Sequence, residues 1–589
     1  MKLQSCSHWT VKNPEALLFF AQRINEMLFD YTLDSYKPPA LNAASLCGEA
    51  LGVLDDIERE IIDENHLNHI LEELAWSLKN DRVAKSLLDA DPEYYLLTGD
   101  EVSKYERRVR LEVLGKSLNL ARYASACQDA IIEAIEKGKK KDIDTIARNF
   151  ICSLVNGGVS KQSLFEKTQR FFFSDRKIES LGCLHEYFDE LEIRFHTFNV
   201  YFRVNRLIDF VRKSDKYFGV SVLDVLPKEL AEHTSAKGFI CDLGERYVHV
   251  QEIQAADQYS ARAEAERRLD SLNDLYTFFA HKSKFAWRPQ ALMTQCCTNE
   301  VFLVSGTMSP MRKGQNLPPQ YAAQKLNNFM GTFGLRRGSL QKFKQVMDLH
   351  DAALASDIPA SQILNIWIAL ETIVPAKGGG GNTISRIVAS LMPFLLTNYI
   401  FRLVKNLMKD MLQWDRHKAK SILGRVEGKG NMEFKVLRLI ALNECDPLRK
   451  ELYAQLDDFP LLRYRVYSMA EKFGSPLSVM SMLEEHKRKV SWQIRRIYRV
   501  RNMVVHSGDS PNFIETLIEN GHDYFDIMMS GIISYSCGHY DVSSLEQAFE
   551  LAAIRYQGFE RFLKQLGKDP FKADNVDSLR EVWMELRAS

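Results

Sequence analysis

The chain has 589 residues and a mass of 67.8 kDa, enough for about two to four domains of ordinary size. Hydrophobic residues make up 46% and charged residues 26%, which excludes a disordered chain, a collagen-like fibre and a disulfide-rich miniprotein. Lys and Arg together number 77, as do Asp and Glu, so no overall charge attracts the chain to nucleic acid or to an anionic membrane. Contact with a nucleic acid must therefore come from a local basic patch.

The cysteines and apolar segments predict a cytoplasmic protein without a membrane span. The ten cysteines are scattered and none forms the C-x-x-C pair of a zinc ribbon or a redox dithiol, which favours a reducing compartment. The first residues lack the apolar core of a secretory signal. The longest apolar run, Ile387 to Phe401, is shorter than the roughly 20 residues that a membrane helix needs.

Hydrophobic periodicity predicts a mostly α fold with one small α+β module. Apolar residues recur with helical spacing to about residue 225, which predicts a helical N-terminal region over 1–235. The period then changes: 247–253 and 298–304 alternate as strands do, and a helix is predicted over 261–279 between them. These segments predict a small α+β module and linker over 236–320.

The remaining chain, 321–589, is predicted to be a helical bundle with a helical insertion at about 395–480. Within it, Pro359 opens a helix that Pro375 ends, and Trp367 lies on the apolar face of this helix. Trp367 is therefore expected in the core.

His66 and His69 stand three residues apart on a predicted helix, near Glu64. This spacing puts two potential zinc ligands on one face, but a zinc site needs at least a third protein ligand, and the sequence identifies none. Two exposed helix histidines are the favoured interpretation, and no metal or other cofactor is predicted.

The segment from Lys487 to Arg501 holds seven cations and no acid. Its apolar residues keep a helical spacing, so the basic residues occupy the other faces, and Gly508 is a natural helix stop. Such a surface with interleaved Trp492 and Tyr498 is typical of proteins that bind RNA. The predicted RNA-binding residues are Lys487, Arg488, Lys489, Arg495, Arg496, Tyr498 and Arg499.

The end of this segment, Arg-Asn-Met-Val-Val-His from Arg501 to His506, resembles the R-x4–6-H signature of HEPN ribonucleases. Upstream, the segment from Ile366 to Glu371 is similar to the W-x-x-L-E helix of the ApeA-like HEPN subgroup. That subgroup forms the C-terminal part of larger bacterial proteins, many of them linked to phage defence. The resemblance covers about 340–570 and predicts a HEPN-like helical bundle there.

The resemblance implies a metal-independent endoribonuclease in which the ribose 2′-hydroxyl attacks the neighbouring phosphate. Histidine titrates near neutrality and arginine forks onto phosphate oxygens, so His506 is expected to act as general base or acid and Arg501 to stabilise the phosphate. Asn502 would position the phosphate or the histidine. Glu371 would contact the motif arginine, although a plain helix carboxylate is an equal alternative.

The resemblance also implies a homodimer, because HEPN domains pair two-fold so that two motifs face one cleft. The N-terminal region is expected to sense a trigger, such as a phage component or a nucleotide, that controls a toxin-like defence effector. The alternative is a non-catalytic helical scaffold or partner-binding protein. In that case Arg501 would pair with a helix C-terminus and His506 would cap the same end.

Overall fold

The computed structural model describes residues 9–12, 14–32, 36–97, 102–213, 215–230, 232, 238–298, 300–314, 316–376, 383–537 and 540–579. The chain forms two compact units: Met1–Asn149 together with Ser309–Ser589, and Phe150–Met308. The predicted divisions near residues 235 and 320 differ from these limits. Residues 580–589 of the predicted C-terminal domain lie outside the described residues.

Helices dominate the described part of the chain, as predicted, and one small antiparallel sheet accompanies them there. The helices are α1 Glu15–Leu28, α2 Ala43–Glu58, α3 Asn65–Asn80, α4 Arg82–Ser86, α5 Lys104–Ser117, α6 Leu120–Glu136, α7 Lys140–Asn156, α8 Lys161–Phe172, α9 Cys183–Leu191, α10 Gln258–Phe279, α11 Pro319–Thr332, α12 Arg337–Ala355, α13 Pro359–Ile373, α14 Thr383–Trp414, α15 Arg416–Gly424, α16 Met432–Ala441, α17 Asp446–Gln455, α18 Pro460–Phe473, α19 Pro476–Ser507, α20 Ile514–Cys537 and α21 Leu545–Leu566.

Four helices form the centre of the C-terminal part of the first unit. Helix α13 packs against α12, α19 and α20, and α19 and α20 pack against each other. Trp367 of α13 is fully buried, which confirms its predicted place in the core. The close approach of α20 to α13 and α19 depends on Gly521 of α20. A Cβ at this position would lie 3.3 Å from Cγ2 of Ile366 and 3.4 Å from Cδ1 of Ile497.

The long apolar run lies in α14, whose 32 residues extend well beyond the run itself. Among the described residues α14 alone has the length and mean hydropathy, 1.6 over 18 residues, to cross a membrane. Of that window, 56% is buried within the protein, and α14 packs against α19, α20 and α21. Helix α14 is thus a member of the bundle, and it begins before the predicted insertion at 395–480.

The first 149 residues contribute to the same unit as the C-terminal bundle. Helix α1 packs against α18, and α3 packs against α19. A buried ion-pair cluster joins these parts: Arg465 of α18 reaches Glu26 of α1 at 2.6 Å and Asp410 of α14 at 2.7 Å. Residues 1–149 are therefore part of the same compact unit as the C-terminal bundle.

The second unit contains a five-stranded antiparallel sheet in the order β2-β3-β1-β4-β5. Its strands are β1 His196–Asn205, β2 Val220–Leu223, β3 Glu245–Ala255, β4 Trp287–Gln295 and β5 Val301–Ser305. Helix α10 packs on the sheet, where apolar side chains of β1 and β3 form a core with Ala265 and Leu269.

The structure confirms the α+β character of this part of the chain, and β3, α10 and β5 lie near their predicted places. Residue 299 of the last predicted strand lies outside the described residues. The prediction of helices to about residue 225 is wrong, because β1 and β2 lie before that point. Phe198, Val200, Phe202 and Val204 of β1 are buried on one face of the strand, where they belong to the core formed with α10. Tyr201 on the other face is buried in a second apolar cluster.

Candidate functional site

Helix α19 carries the whole predicted site, and its two ends are firmly defined. At its start the Ser475 hydroxyl accepts a hydrogen bond from the Ser478 N–H at 3.2 Å. At its end Gly508 adopts φ +73° and donates its N–H to the carbonyl of Val504 at 3.2 Å, as the sequence predicts for a helix stop. Arg501 and His506 therefore lie in the last two turns of a 32-residue helix.

Arg501 is half-buried and is held by its own neighbour. Its Nη1 donates to Oδ1 of Asn502 at 3.0 Å, and Asn502 is only 5% exposed. The Nε of Arg501 is buried and has no hydrogen-bond partner among the described residues. The Nε of Arg495 is in the same state, so this feature does not single out Arg501. The side chain of Arg501 as a whole is only half-buried, so its remaining guanidinium donors are suited to bind an anion.

His506 is exposed in the last turn of α19. The acidic end of α2 lies close enough for its charges to interact with His506. Burial raises the pKa of the Asp56 carboxyl, Asp55 adds to this effect, and Arg59 and His506 oppose it. The surroundings of His506 therefore include the acidic side chain of Asp56, from the N-terminal part of the chain.

Glu371 is half-buried on α13. Within the described part of the chain it forms no ion pair with Arg501, whose guanidinium instead contacts Asn502. The contact that the family resemblance implies is thus not formed in this structure, and Glu371 fits its alternative interpretation as a plain helix carboxylate.

Arg496 and Arg499 are inside the protein, so the prediction that they form part of a basic RNA-binding surface is wrong for this arrangement. Arg496 is fully buried and reaches Glu49 of α2 at 2.9 Å and Glu73 of α3 at 2.5 Å. Arg499, 6% exposed, reaches Glu49 at 2.7 Å. A buried guanidinium needs such partners, and they come from more than 400 residues earlier in the chain.

The two carboxylates of this cluster respond differently to burial. Burial disfavours the charge on Glu49, but Arg496 and Arg499 outweigh it and lower its pKa to about 2. Burial raises the pKa of Glu73, and this effect outweighs the charge of Arg496, which lowers it. Glu49 is therefore the carboxylate that most firmly keeps its charge beside the two arginines.

Three predicted RNA-binding cations remain accessible at the middle of α19. Arg488 and Lys489 are exposed, and Lys487 is half-buried. Lys487 lies 3.5 Å from Glu484, and Lys489 lies 2.6 Å from Glu485. Such exposed ion pairs are weak, so each lysine can exchange its carboxylate partner for a phosphate.

The aromatic residues of the basic segment are not displayed for stacking on bases. Trp492 is 3% exposed and packs against Trp76 with ring centroids 5.7 Å apart. Tyr498 is half-buried, stacked on His66 at 5.3 Å and tilted against Trp367 at 5.2 Å. Because its ring already contacts both side chains, this packing does not favour base stacking by Tyr498, and its role in contacting RNA stays a prediction.

Arg495 lines a cavity of about 230 Å³. The other lining residues are Asn65, His66, Asn68 and His69 of α3, and Ser385 of α14. The sequence did not place these residues together, because α3, α14 and α19 are far apart along the chain. One Arg495 Nη lies 3.5 Å from the Ser385 hydroxyl, and its Nε is buried without a hydrogen-bond partner among the described residues.

The expectation of two exposed histidines is wrong for His66, which is 3% exposed. Its Nδ1 is buried and makes no hydrogen bond to any described residue. Burial, helped by Arg499, lowers its pKa to about 4, so the imidazole is neutral at pH 7. His66 thus offers a neutral polar group to the cavity beside the cation Arg495.

No family model, no curated protein and no solved structure matches this chain.

Proposed function

We propose that this protein is a metal-independent endoribonuclease of the HEPN type, acting in the cytoplasm as an anti-phage or toxin-like effector. The observation that carries the proposal is the state of the motif residues at the end of α19. Arg501 is half-buried and its guanidinium is held by the side chain of Asn502, and His506 is exposed one turn beyond it. A cation and a proton-transferring group are thus presented together at one helix end.

In the proposed reaction the RNA supplies its own nucleophile, the ribose 2′-hydroxyl. His506 removes the 2′ proton or protonates the departing 5′ oxygen, and Arg501 stabilises the charge that develops on the phosphate. Asn502 orients the guanidinium through its 3.0 Å hydrogen bond, which makes Asn502 a positioning residue. We assign Glu371 no step, because it forms no ion pair with Arg501.

The substrate strand is proposed to extend from the motif along α19. Lys487, Arg488 and Lys489 supply accessible cations for the phosphates. The cavity lined by Arg495 and His66 would accept one nucleotide. No tyrosine stacking is required in this arrangement.

One chain supplies one motif histidine, whereas the reaction has two proton-transfer steps. We propose that two copies pair so that their motifs face one cleft. Exposed apolar side chains at the end of α19 and on α13, Val505 at 51% and Ile368 at 38%, support a contact between copies. An excess of His506→Ala protein is then expected to lower the activity of the wild type, because a mixed dimer carries a single histidine in its cleft.

The test is cleavage of total cellular RNA by the purified protein in excess EDTA. The wild type is compared with His506→Ala and Arg501→Ala, and with His417→Ala, a control in which an exposed histidine of α15 is removed. Circular dichroism in EDTA establishes that every variant is folded. The proposal expects cleavage by the wild type and by His417→Ala only. Equal cleavage by the wild type and His506→Ala would refute the assignment.

A non-catalytic scaffold is the second candidate, and the buried cluster around Glu49 favours it. The cluster shows that two cations of the basic segment hold helices of this chain together. A scaffold tolerates Arg501→Ala and His506→Ala without loss of its biological effect, whereas a nuclease does not.

We propose that the N-terminal helices lower the activity of the nuclease without abolishing it until a phage-derived or nucleotide trigger binds. Asp56, whose pKa depends partly on His506, would repel an incoming phosphate. Asp56→Asn is then expected to raise RNA cleavage, and unchanged cleavage would argue against restraint by this side chain. Deletion of residues 1–149 is unsuitable as a test because it would leave Arg496 and Arg499 without their buried partners.

A further inference from the structure

A second cluster of polar side chains joins two helices of the first unit. His350 lies on α12, and His522 and Asp526 lie on α20. His522 and Asp526 are four residues apart and so share one face of α20. One potential ligand atom from each of the three side chains lies within 4.8 Å of the other two.

The distances within the cluster are close to those between ligands of one metal ion. The Nε2 atoms of His350 and His522 are 2.9 Å apart, and Nε2 of His522 is 3.5 Å from Oδ1 of Asp526. Around a tetrahedral ion with bonds of about 2.0–2.1 Å, neighbouring ligand atoms are about 3.3 Å apart. Small rotations of these side chains would therefore bring them to coordinating positions.

Packing holds the two imidazole rings close to this orientation. His350 stacks on Phe525 with ring centroids 5.1 Å apart and planes 12° apart. His522 is 6% exposed and lies against Gly314, where a Cβ would be 3.0 Å from its Cε1.

We propose that His350, His522 and Asp526 bind a divalent transition metal ion of the zinc class and so fasten α12 to α20. Two imidazoles and a carboxylate are donors that Zn²⁺ accepts, and three protein ligands leave a fourth position for water. The side chain of Asp526 is 44% exposed, which gives an ion a route from solvent. The metal site lies on α12 and α20 and is independent of the proposed RNA cleavage, whose residues lie on α19.

The test uses the purified full-length protein after EDTA treatment and dialysis. Zinc affinity is measured by competition with a chromophoric chelator, and cobalt is then added as a spectroscopic substitute. Three variants are compared with the wild type: Asp526→Asn removes a ligand charge, Gly314→Ala displaces the His522 ring without removing a ligand, and His417→Ala is the control. Circular dichroism checks that each protein is folded.

The wild type and His417→Ala are expected to bind zinc alike. Even the loss of an outer partner of a metal ligand typically weakens binding about 10–100-fold, so removal of the Asp526 charge should weaken zinc binding at least as much. Gly314→Ala crowds the His522 ring and should also weaken zinc binding, but less than Asp526→Asn. Zinc should also raise the melting temperature of the wild type more than that of Asp526→Asn.

Cobalt distinguishes this cluster from the exposed group of His196, Cys296 and Cys297 in the second unit. Coordination by His350, His522 and Asp526 gives a cobalt spectrum without thiolate charge transfer, and this component should disappear in Asp526→Asn. No zinc binding by the wild type, equal binding by Asp526→Asn, or a cobalt spectrum due to thiolates alone would overturn the proposal.

Discussion

Replacement of Glu49 by glutamine should loosen the contact between the N-terminal helices and α19. Glu49 accepts hydrogen bonds from both Arg496 and Arg499, at 2.9 Å and 2.7 Å, and its side chain is 12% exposed. Glutamine keeps the size of the side chain but removes the charge. Arg499 then has no carboxylate partner among the described residues, whereas Arg496 retains Glu73.

The expected loss of stability is about 3 kcal/mol. Glu49 has a pKa of about 2 in place of 4.5, and this difference corresponds to about 3 kcal/mol because one pKa unit is about 1.4 kcal/mol. Removal of one partner from a buried ion pair costs about 3–5 kcal/mol in other proteins, which agrees. Because the folded-state pKa is lowered, this stabilisation is complete above pH 4.5 and is lost as the pH falls toward 2.

Hydrogen exchange of peptides from α2 and the middle of α19 measures this loss locally, which suits a protein of two units. A loss of about 3 kcal/mol corresponds to exchange about 100-fold faster at neutral pH. Glu58→Gln is the matched control on the same helix, because Glu58 is itself exposed and its pair with Arg108 is worth only about 0–1 kcal/mol. Equal, small changes in both variants would refute the structural role of Glu49.

Three further predictions concern the first unit. Gly531→Ala should lower the free energy of unfolding by about 1–3 kcal/mol in a denaturant titration, because its Cβ would lie 2.6 Å from Cδ1 of Phe394; an unchanged midpoint would contradict this packing. Arg465→Met should cost about 3–5 kcal/mol by leaving Glu26 buried without its main partner, and a loss under about 1 kcal/mol would contradict that account. The wild type should lose stability as the pH falls from 6.5 to 4, because burial lowers the pKa of His66 to about 4 and the unfolded chain binds the proton first. His66→Phe should lose less over this range when unfolding is followed by circular dichroism, and an identical loss would show that His66 is not responsible.

Local patterns in the sequence account for much of the fold. The helix of Pro359–Ile373, the buried Trp367 and the Gly508 stop follow from spacing and capping chemistry alone. The alternation of Phe198, Val200, Phe202 and Val204 predicts a strand, and the helical interpretation of this region did not take it into account. Strand β4 gave a weaker signal, because Pro289 interrupts it and its buried residues are consecutive.

The candidate site was less predictable, because its environment depends on distant parts of the chain. Composition identifies a basic helix, but nothing local distinguishes Arg496, which is fully buried, from Arg488, which is exposed. The partner Glu49 precedes Arg496 by 447 residues. In the same way, the spacing of His522 and Asp526 is visible in the sequence, but His350 lies 172 residues before His522 and only the fold brings it there.

The central claim is RNA cleavage by 2′-hydroxyl attack at Arg501 and His506. Its most direct test is to identify the ends of the RNA fragments that the purified protein produces in excess EDTA, with His506→Ala beside the wild type. The account predicts 2′,3′-cyclic phosphate and 5′-hydroxyl ends from the wild type and none above background from His506→Ala. Fragments with 5′-phosphate ends, or the same cyclic ends from both proteins, would contradict it.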